Sequence, residues 1–245
     1  MPVLDEFRPI TRACNIVEAP IEDCIGAAID TRKAIFSREM RSLGTPEKIS
    51  SFSLSTAVAG ESLEAGLSYL VPLAAPTPTR YLFLQTVRAP WAVFFSNWKI
   101  CSGHPELVGG IAKRLKTRGI YALLQEHTRK KNKGYYGGFK IHFYDASEQA
   151  SRRIECINDA GPWFFGQEGD PLPFEDIERY ERPNKRERFT GEMLSDYLQQ
   201  FGLRPYDDDF YKVDAAHPAK GLQAVDKDPY LKSLDTFYPL EKVKR

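Results

Sequence analysis

Tyr81-Leu-Phe-Leu-Gln-Thr-Val87, then Arg88-Ala-Pro90, then Trp91-Ala-Val-Phe-Phe95: this passage decides the class of fold. Two runs dense in aromatic and β-branched residues flank a short break containing proline, the pattern of a strand hairpin. Strands joined so closely must run antiparallel. Downstream, Leu107, Val108, Ile111, Ala112 and Leu115 form an apolar stripe at helical spacing, with Lys113, Arg114 and Lys116 on the wet side. Pro105 suits the first turn of that helix, Ser102 or His104 its cap, and Gly119 its stop. Strand patterns return at Ile120–Gln125 and Tyr135–Tyr144. In the second, Phe139, Ile141 and Phe143 share one face while Lys140, His142 and Tyr144 share the other. Arg152–Ile157 and Trp163–Gln167 read as a further hairpin turned at 158–161. The expectation is an α+β protein: an antiparallel β-sheet of about five to seven strands with helices packed on one face.

Toward the N-terminus, Ile21, Cys24/Ile25, Ala28/Ile29, Arg32 and Ile35/Phe36 recur at steps of three and four, and Gly44 with Thr45-Pro46 closes that helix. Ile49–Val58 alternates in part and reads as a modest strand. Ser62–Leu73 fits a short helix or a strand, and the prolines of Val71–Thr79 mark a wide loop. Phe174–Glu181 reads as a short acidic helix. Thr190 is a fitting cap for a helix over Gly191–Phe201, which Gly202 ends. Met1–Pro20 has three prolines and no period, and the stretch from Arg204 is aromatic and acidic without period. The expected organisation is an N-terminal arm over residues 1–20, one α+β domain over 21–203, and an extended C-terminal arm over 204–245.

Composition narrows the function classes. Of 245 residues, 42% are hydrophobic, enough for a substantial core. Lys+Arg number 34 against 33 Asp+Glu, so the basic excess typical of nucleic-acid binders is missing. The local run Arg129, Lys130, Lys131, Lys133 beside Tyr135 and Tyr136 has the ingredients of a nucleic-acid contact, yet a lysine-rich hairpin tip also guards a sheet margin against aggregation. The early acidic residues and the lack of an apolar signal core or membrane-spanning run point to the cytoplasm. The four cysteines, Cys14, Cys24, Cys101 and Cys156, lack metal-knuckle spacing and read as free thiols in a reducing compartment.

No assembled chemistry emerges from spacing. His104, His127, His142 and His217 form no paired-histidine metal motif, and no nucleophile elbow, phosphate loop or dinucleotide fingerprint occurs. Gly109 and Gly110 fall inside a helix, where close packing against the sheet explains them. No cofactor, no metal site and no catalytic residue is expected. Glu168/Asp170, Glu175/Asp176 and Asp207–Asp209 are solvated acidic turns on the plain reading. Two sets of candidate binding residues stand out. Trp98, Tyr206, Asp208, Asp209 and Tyr211 combine aromatic anchors with charge, as tight protein surfaces do. His142, Tyr144, Arg153 and Glu155 would converge from adjacent strands if the sheet had an open face.

The passage Gly161-Pro-Trp-Phe-Phe-Gly-Gln-Glu-Gly-Asp-Pro-Leu-Pro-Phe-Glu175, followed by Tyr180 and Arg186-Glu-Arg-Phe-Thr190, resembles an uncharacterised family of bacterial cytoplasmic proteins, over about Tyr81 to Tyr211. In style these are similar to immunity and accessory proteins of toxin systems. The resemblance implies a non-catalytic protein-binding protein, its partner a toxin-like protein or a second copy of itself, and carries over no catalytic residue. The alternative is a small-ligand-binding protein or enzyme with its pocket on the open sheet face.

Overall fold

The computed structural model describes residues 2–46, 52–75, 79–98, 104–129, 134, 136–158, 160–226, 236–238 and 240. In chain order the strands are β1 (Ala13–Glu18), β2 (Phe52–Gly60), β3 (Leu73–Ala75), β4 (Arg80–Gln85), β5 (Trp91–Ser96), β6 (Arg118–Gln125), β7 (Gly138–Asp145), β8 (Arg152–Ile157), β9 (Phe164–Glu168), β10 (Ala219–Asp226) and β11 (Thr236–Tyr238). The helices are α1 (Val3–Glu6), α2 (Ile21–Ser42), α3 (Leu63–Ser68), α4 (Pro105–Leu115) and α5 (Gly191–Gln199). Among the described residues one nine-stranded antiparallel sheet runs in the order β2-β10-β4-β5-β1-β6-β7-β8-β9, and β3 pairs with β11 in a separate ribbon. No described helix is long and apolar enough to cross a membrane.

The α+β class and the antiparallel sheet are present, but the strand count exceeds the expected range. Both added strands come from segments read as arms. Ala13–Glu18 is the central strand, between β5 and β6, and Ala219–Asp226 threads between β2 and β4. β1 is buried on both faces, so its sequence has no alternation to betray it. Neither arm boundary therefore corresponds to an edge of the folded unit.

The expected single helical layer is also corrected. α2 and α4 cover one face, over Val17, Tyr81, Phe83, Phe94 and Tyr121. The opposite face, with Ile16, Leu82, Leu84, Val93, Phe95 and Ile141, is covered by α1, α3, α5 and the chain around Leu203–Tyr211. Strand alternation supplies both sets: neighbouring residues such as Leu82 and Phe83 point to opposite faces and each is fully buried. A sheet that is apolar on both sides needs two covers.

Local signals behave as their chemistry demands. Thr190 caps α5 by accepting a hydrogen bond from the Met193 amide, and Ser62 caps α3 through the Ala65 amide. Pro105 opens α4, but the helix stops at Leu115 with Lys116 left-handed (φ 52°), ahead of Gly119. Gly119 serves packing instead: a Cβ there would stand 2.7 Å from Val108 Cγ1. Gly110 similarly lets α4 meet α2, since its Cβ would lie 2.3 Å from Thr31 Cγ2. The close approach is thus between two helices as well as between helix and sheet. Residues 174–181 contain a 3-10 turn, Ile177–Glu181, in place of an α-helix.

Candidate functional site

α2 delivers one charged residue to its sheet-facing side. Arg32 follows Ala28 and precedes Phe36 at steps of four, so the helix that buries those two also turns the guanidinium toward the sheet. Its Cζ lies 5.9 Å from the centroid of Tyr81 on β4 and 5.9 Å from that of Phe52 on β2. Phe52 is held in turn by stacking on Phe36, 4.4 Å between centroids. Cation–π contact attracts the guanidinium to the ring faces but satisfies none of its N–H donors. Among the described residues, Arg32 Nε and the Tyr81 hydroxyl are both buried without a hydrogen-bond partner.

His104 completes the cluster. It precedes α4, and its backbone N–H donates to Asn15 Oδ1 of β1 at 3.0 Å, while Asn15 Nδ2 donates to the Phe94 carbonyl. The central strand therefore fixes the entry to α4. The His104 ring meets Tyr81 edge-on at 5.5 Å and stacks on Trp98 at 5.3 Å. Its Nε2 is 2.9 Å from Ser96 Oγ, and Ser96 lies directly across from Tyr81 in the β4–β5 register. Burial pushes the imidazole down to about 3, and the nearby Arg32 charge acts in the same direction. Burial raises the Tyr81 phenol, Arg32 lowers it and Glu39 raises it, so at neutral pH it is an uncharged donor. The cluster then holds one fixed positive charge, two neutral rings bearing polar atoms, and a hydroxyl.

The residues expected on an open sheet face are brought together only in part. His142 and Arg153 are cross-strand partners, as are Lys140 and Glu155. His142 Nε2 is 2.7 Å from Glu155 Oε1, and Lys140 Nζ is 3.6 Å from the same oxygen. Burial lowers the His142 pKa, which Glu155 opposes; the His142 hydrogen bond holds the Glu155 carboxyl below its usual value. Arg153 turns to Glu168 at 3.3 Å. Tyr144 lies in the space left by Gly109, where a Cβ would be 2.9 Å from its ring. His142 is only 5% exposed and Tyr144 4%, whereas the Arg153 side chain is 41% exposed, so the four residues of the alternative reading meet in a partly enclosed set of polar contacts. Among the described residues, His142 Nδ1 and Arg153 Nε remain buried without hydrogen-bond partners.

The aromatic and acidic residues near the C-terminus are used internally. Asp208 accepts the Val3 and Leu4 amides at 2.5 and 3.0 Å, anchoring the N-terminal segment. Tyr211 is buried and donates to the Pro205 carbonyl at 2.6 Å; Tyr206 has its hydroxyl buried near Cys14. Asp209, exposed, pairs with Arg204 at 3.3 Å. Trp98 belongs to the His104 cluster on the α2 side. These five do not make one docking surface.

A second arginine cluster also escaped the sequence. Arg152 and Glu175 form a buried ion pair, and Tyr180, Gln167 and the carbonyls of Glu168 and Gly169 complete it. It ties the Gly-Asp-Pro-Leu-Pro-Phe-Glu turn to the sheet. Cys14, Cys24 and Cys156 are buried free thiols; burial raises Cys24 to about 12 and Cys156 to about 11, so none is a ready nucleophile. Most of the basic run 129–136 lies outside the described residues; within them Arg129 stands 4.3 Å from the Tyr136 ring centroid. Among the described residues no group of His, Cys, Asp or Glu is arranged to hold a metal ion. No protein-family model matches the chain, and no curated protein or solved structure matches it.

Proposed function

We propose that this chain is a non-catalytic binding protein that takes a small oxyanion, carboxylate or phosphate, between Arg32, Tyr81 and the Ser96–His104 pair. The observation that carries the reading is the pairing of two buried, unpartnered donors, Arg32 Nε–H and Tyr81 O–H, about one ring. A buried donor without a partner costs roughly 1–3 kcal/mol, and an anionic oxygen is the acceptor that recovers most, because its hydrogen bonds to arginine are charge-assisted. The planar guanidinium suits the two oxygens of a carboxylate or phosphate. Trp98 and Phe52 supply apolar walls for an organic substituent.

The Ser96–His104 contact resembles half of a nucleophilic dyad, but an imidazole held at about 3 is a weak base at neutral pH. Orientation of the hydroxyl is the role that fits.

Calorimetric titration of the full chain with inorganic phosphate, acetate and benzoate tests this. At least one of the three is expected to bind with one-to-one stoichiometry. Arg32→Gln should weaken it by about 10- to 100-fold and Tyr81→Phe by a smaller factor. No binding by any of the three, or binding that Arg32→Gln leaves unchanged, overturns the proposal.

A protein partner, including the toxin of the immunity reading, is a compatible second reading. Its support is the exposed, uncharged strand β2, not the internally engaged residues 206–211.

A further inference from the structure

The nine-stranded sheet ends in two unlike edges. β9 is five residues long, carries Gln167 and Glu168, and is flanked by Arg186 and Arg188, whose guanidiniums stand 5.5 and 5.6 Å from the Trp163 and Phe165 rings. Shortness and charge are the usual protections of a free edge. β2 has neither. It runs nine residues, Phe-Ser-Leu-Ser-Thr-Ala-Val-Ala-Gly, with no charge and no proline. It pairs with β10 along one side, and no described strand pairs with its other side. Ser55, Thr56, Ala57 and Val58 are all exposed, Val58 at 60%.

From this edge we infer that β2 adds to β2 of a second copy of the same chain, in antiparallel register about a two-fold axis at Thr56. The residues choose that occupant. Placing Thr56 opposite its own symmetry mate sets Ser55 against Ala57 and Leu54 against Val58. Leu54 packs on the α2 side of the sheet, and Thr56, across from Leu222, lies on that side too. Alternation puts Val58 there as well, so each exposed Val58 gains the partner's Leu54 as a cross-strand neighbour. The other face pairs only serine with alanine, which leaves nothing to clash. An axis normal to the sheet keeps α2 of both copies on the same side. The irregularity between Lys220 and Ala219, where Ala59 is the extra residue, ends regular pairing just beyond Val58. The contact is therefore short and held chiefly by backbone hydrogen bonds, so the dimer is expected to dissociate on dilution.

Sedimentation of the full chain over a concentration series provides the test. The wild type should shift from monomer to dimer as concentration rises. Thr56→Lys places two like charges face to face and should raise the dissociation constant at least about fivefold, and so should Thr56→Glu. Mixing the two variants should restore the dimer, a result that misfolding of either variant could not give. A wild type that stays monomeric throughout overturns the inference. So does a dimer that either substitution leaves unaltered, or a mixture that fails to recover.

Discussion

Arg152 and Arg32 lie on opposite faces of one sheet, each beside tyrosine, and they are in opposite states of satisfaction. Arg152 is 2% exposed, and its three nitrogens all donate: to Glu175, to Gln167 and to the carbonyls of Glu168 and Gly169. Glu175 in turn accepts from Tyr180 and from the Leu172 amide, and Tyr180 meets Tyr197 at 2.9 Å. Nothing in that network is left for a ligand. The Arg32 guanidinium lies against the Phe52 and Tyr81 rings, and among the described residues its Nε and the Tyr81 hydroxyl are buried without a hydrogen-bond partner. The same residue type is a structural tie in one place and, in the other, a cation held against rings with its Nε unpartnered among the described residues. Among the described residues Glu175 pairs with Arg152, and no carboxylate forms an ion pair with Arg32.

The strongest way to break the comparison is to remove the carboxylate that closes the first cluster. Glu175→Ala strands the Arg152 charge in the interior and should cost about 3–5 kcal/mol in urea unfolding. A loss under about 1 kcal/mol would mean that the network is not the tie described.

Acid titration sharpens the second cluster. A histidine whose folded pKa is depressed to about 3 takes up no proton in the native state across the range where the unfolded chain does. Stability contributed by keeping His104 neutral is present above about pH 6.5 and is lost as pH falls toward 3, at up to about 1.4 kcal/mol per pH unit. Burial also lowers the His142 pKa, against the pull of Glu155, so its contribution has the same sign. His104→Gln should therefore flatten the decline of stability between pH 6 and 4 without abolishing it, as read from unfolding midpoints at each pH. An unchanged slope would show that the imidazole is not enclosed.

The smallest expected effect is the most discriminating. Arg32→Met keeps much of the side chain and its contacts with Phe52 and Tyr81 while deleting a charge whose Nε has no hydrogen-bond partner among the described residues. Unfolding stability should stay within about 0.5 kcal/mol of wild type. A large destabilisation would place Arg32 with Arg152 as a structural residue.

Much of this was legible along the chain. The Tyr81–Phe95 hairpin, the stripe of α4 and the Thr190 cap depend on neighbours within a few residues, and local chemistry specifies them. Arg32 was visible as the one cation in the apolar series of α2, though periodicity could not say what it faced. Arg152 gave no signal, because its partner is 23 positions away in a turn.

What the sequence determined by itself was the α+β class and the antiparallel pairing of its central hairpins. Tertiary structure alone decided that β1 and β10 enter the sheet, that both faces are covered, and which arginine finds a carboxylate. Those outcomes turn on contacts such as Ile16 with Val93, Gly221 with Leu82 and Arg152 with Glu175, between residues far apart in the chain. Spacing reports which side a residue faces; only the assembled sheet determines what meets it there.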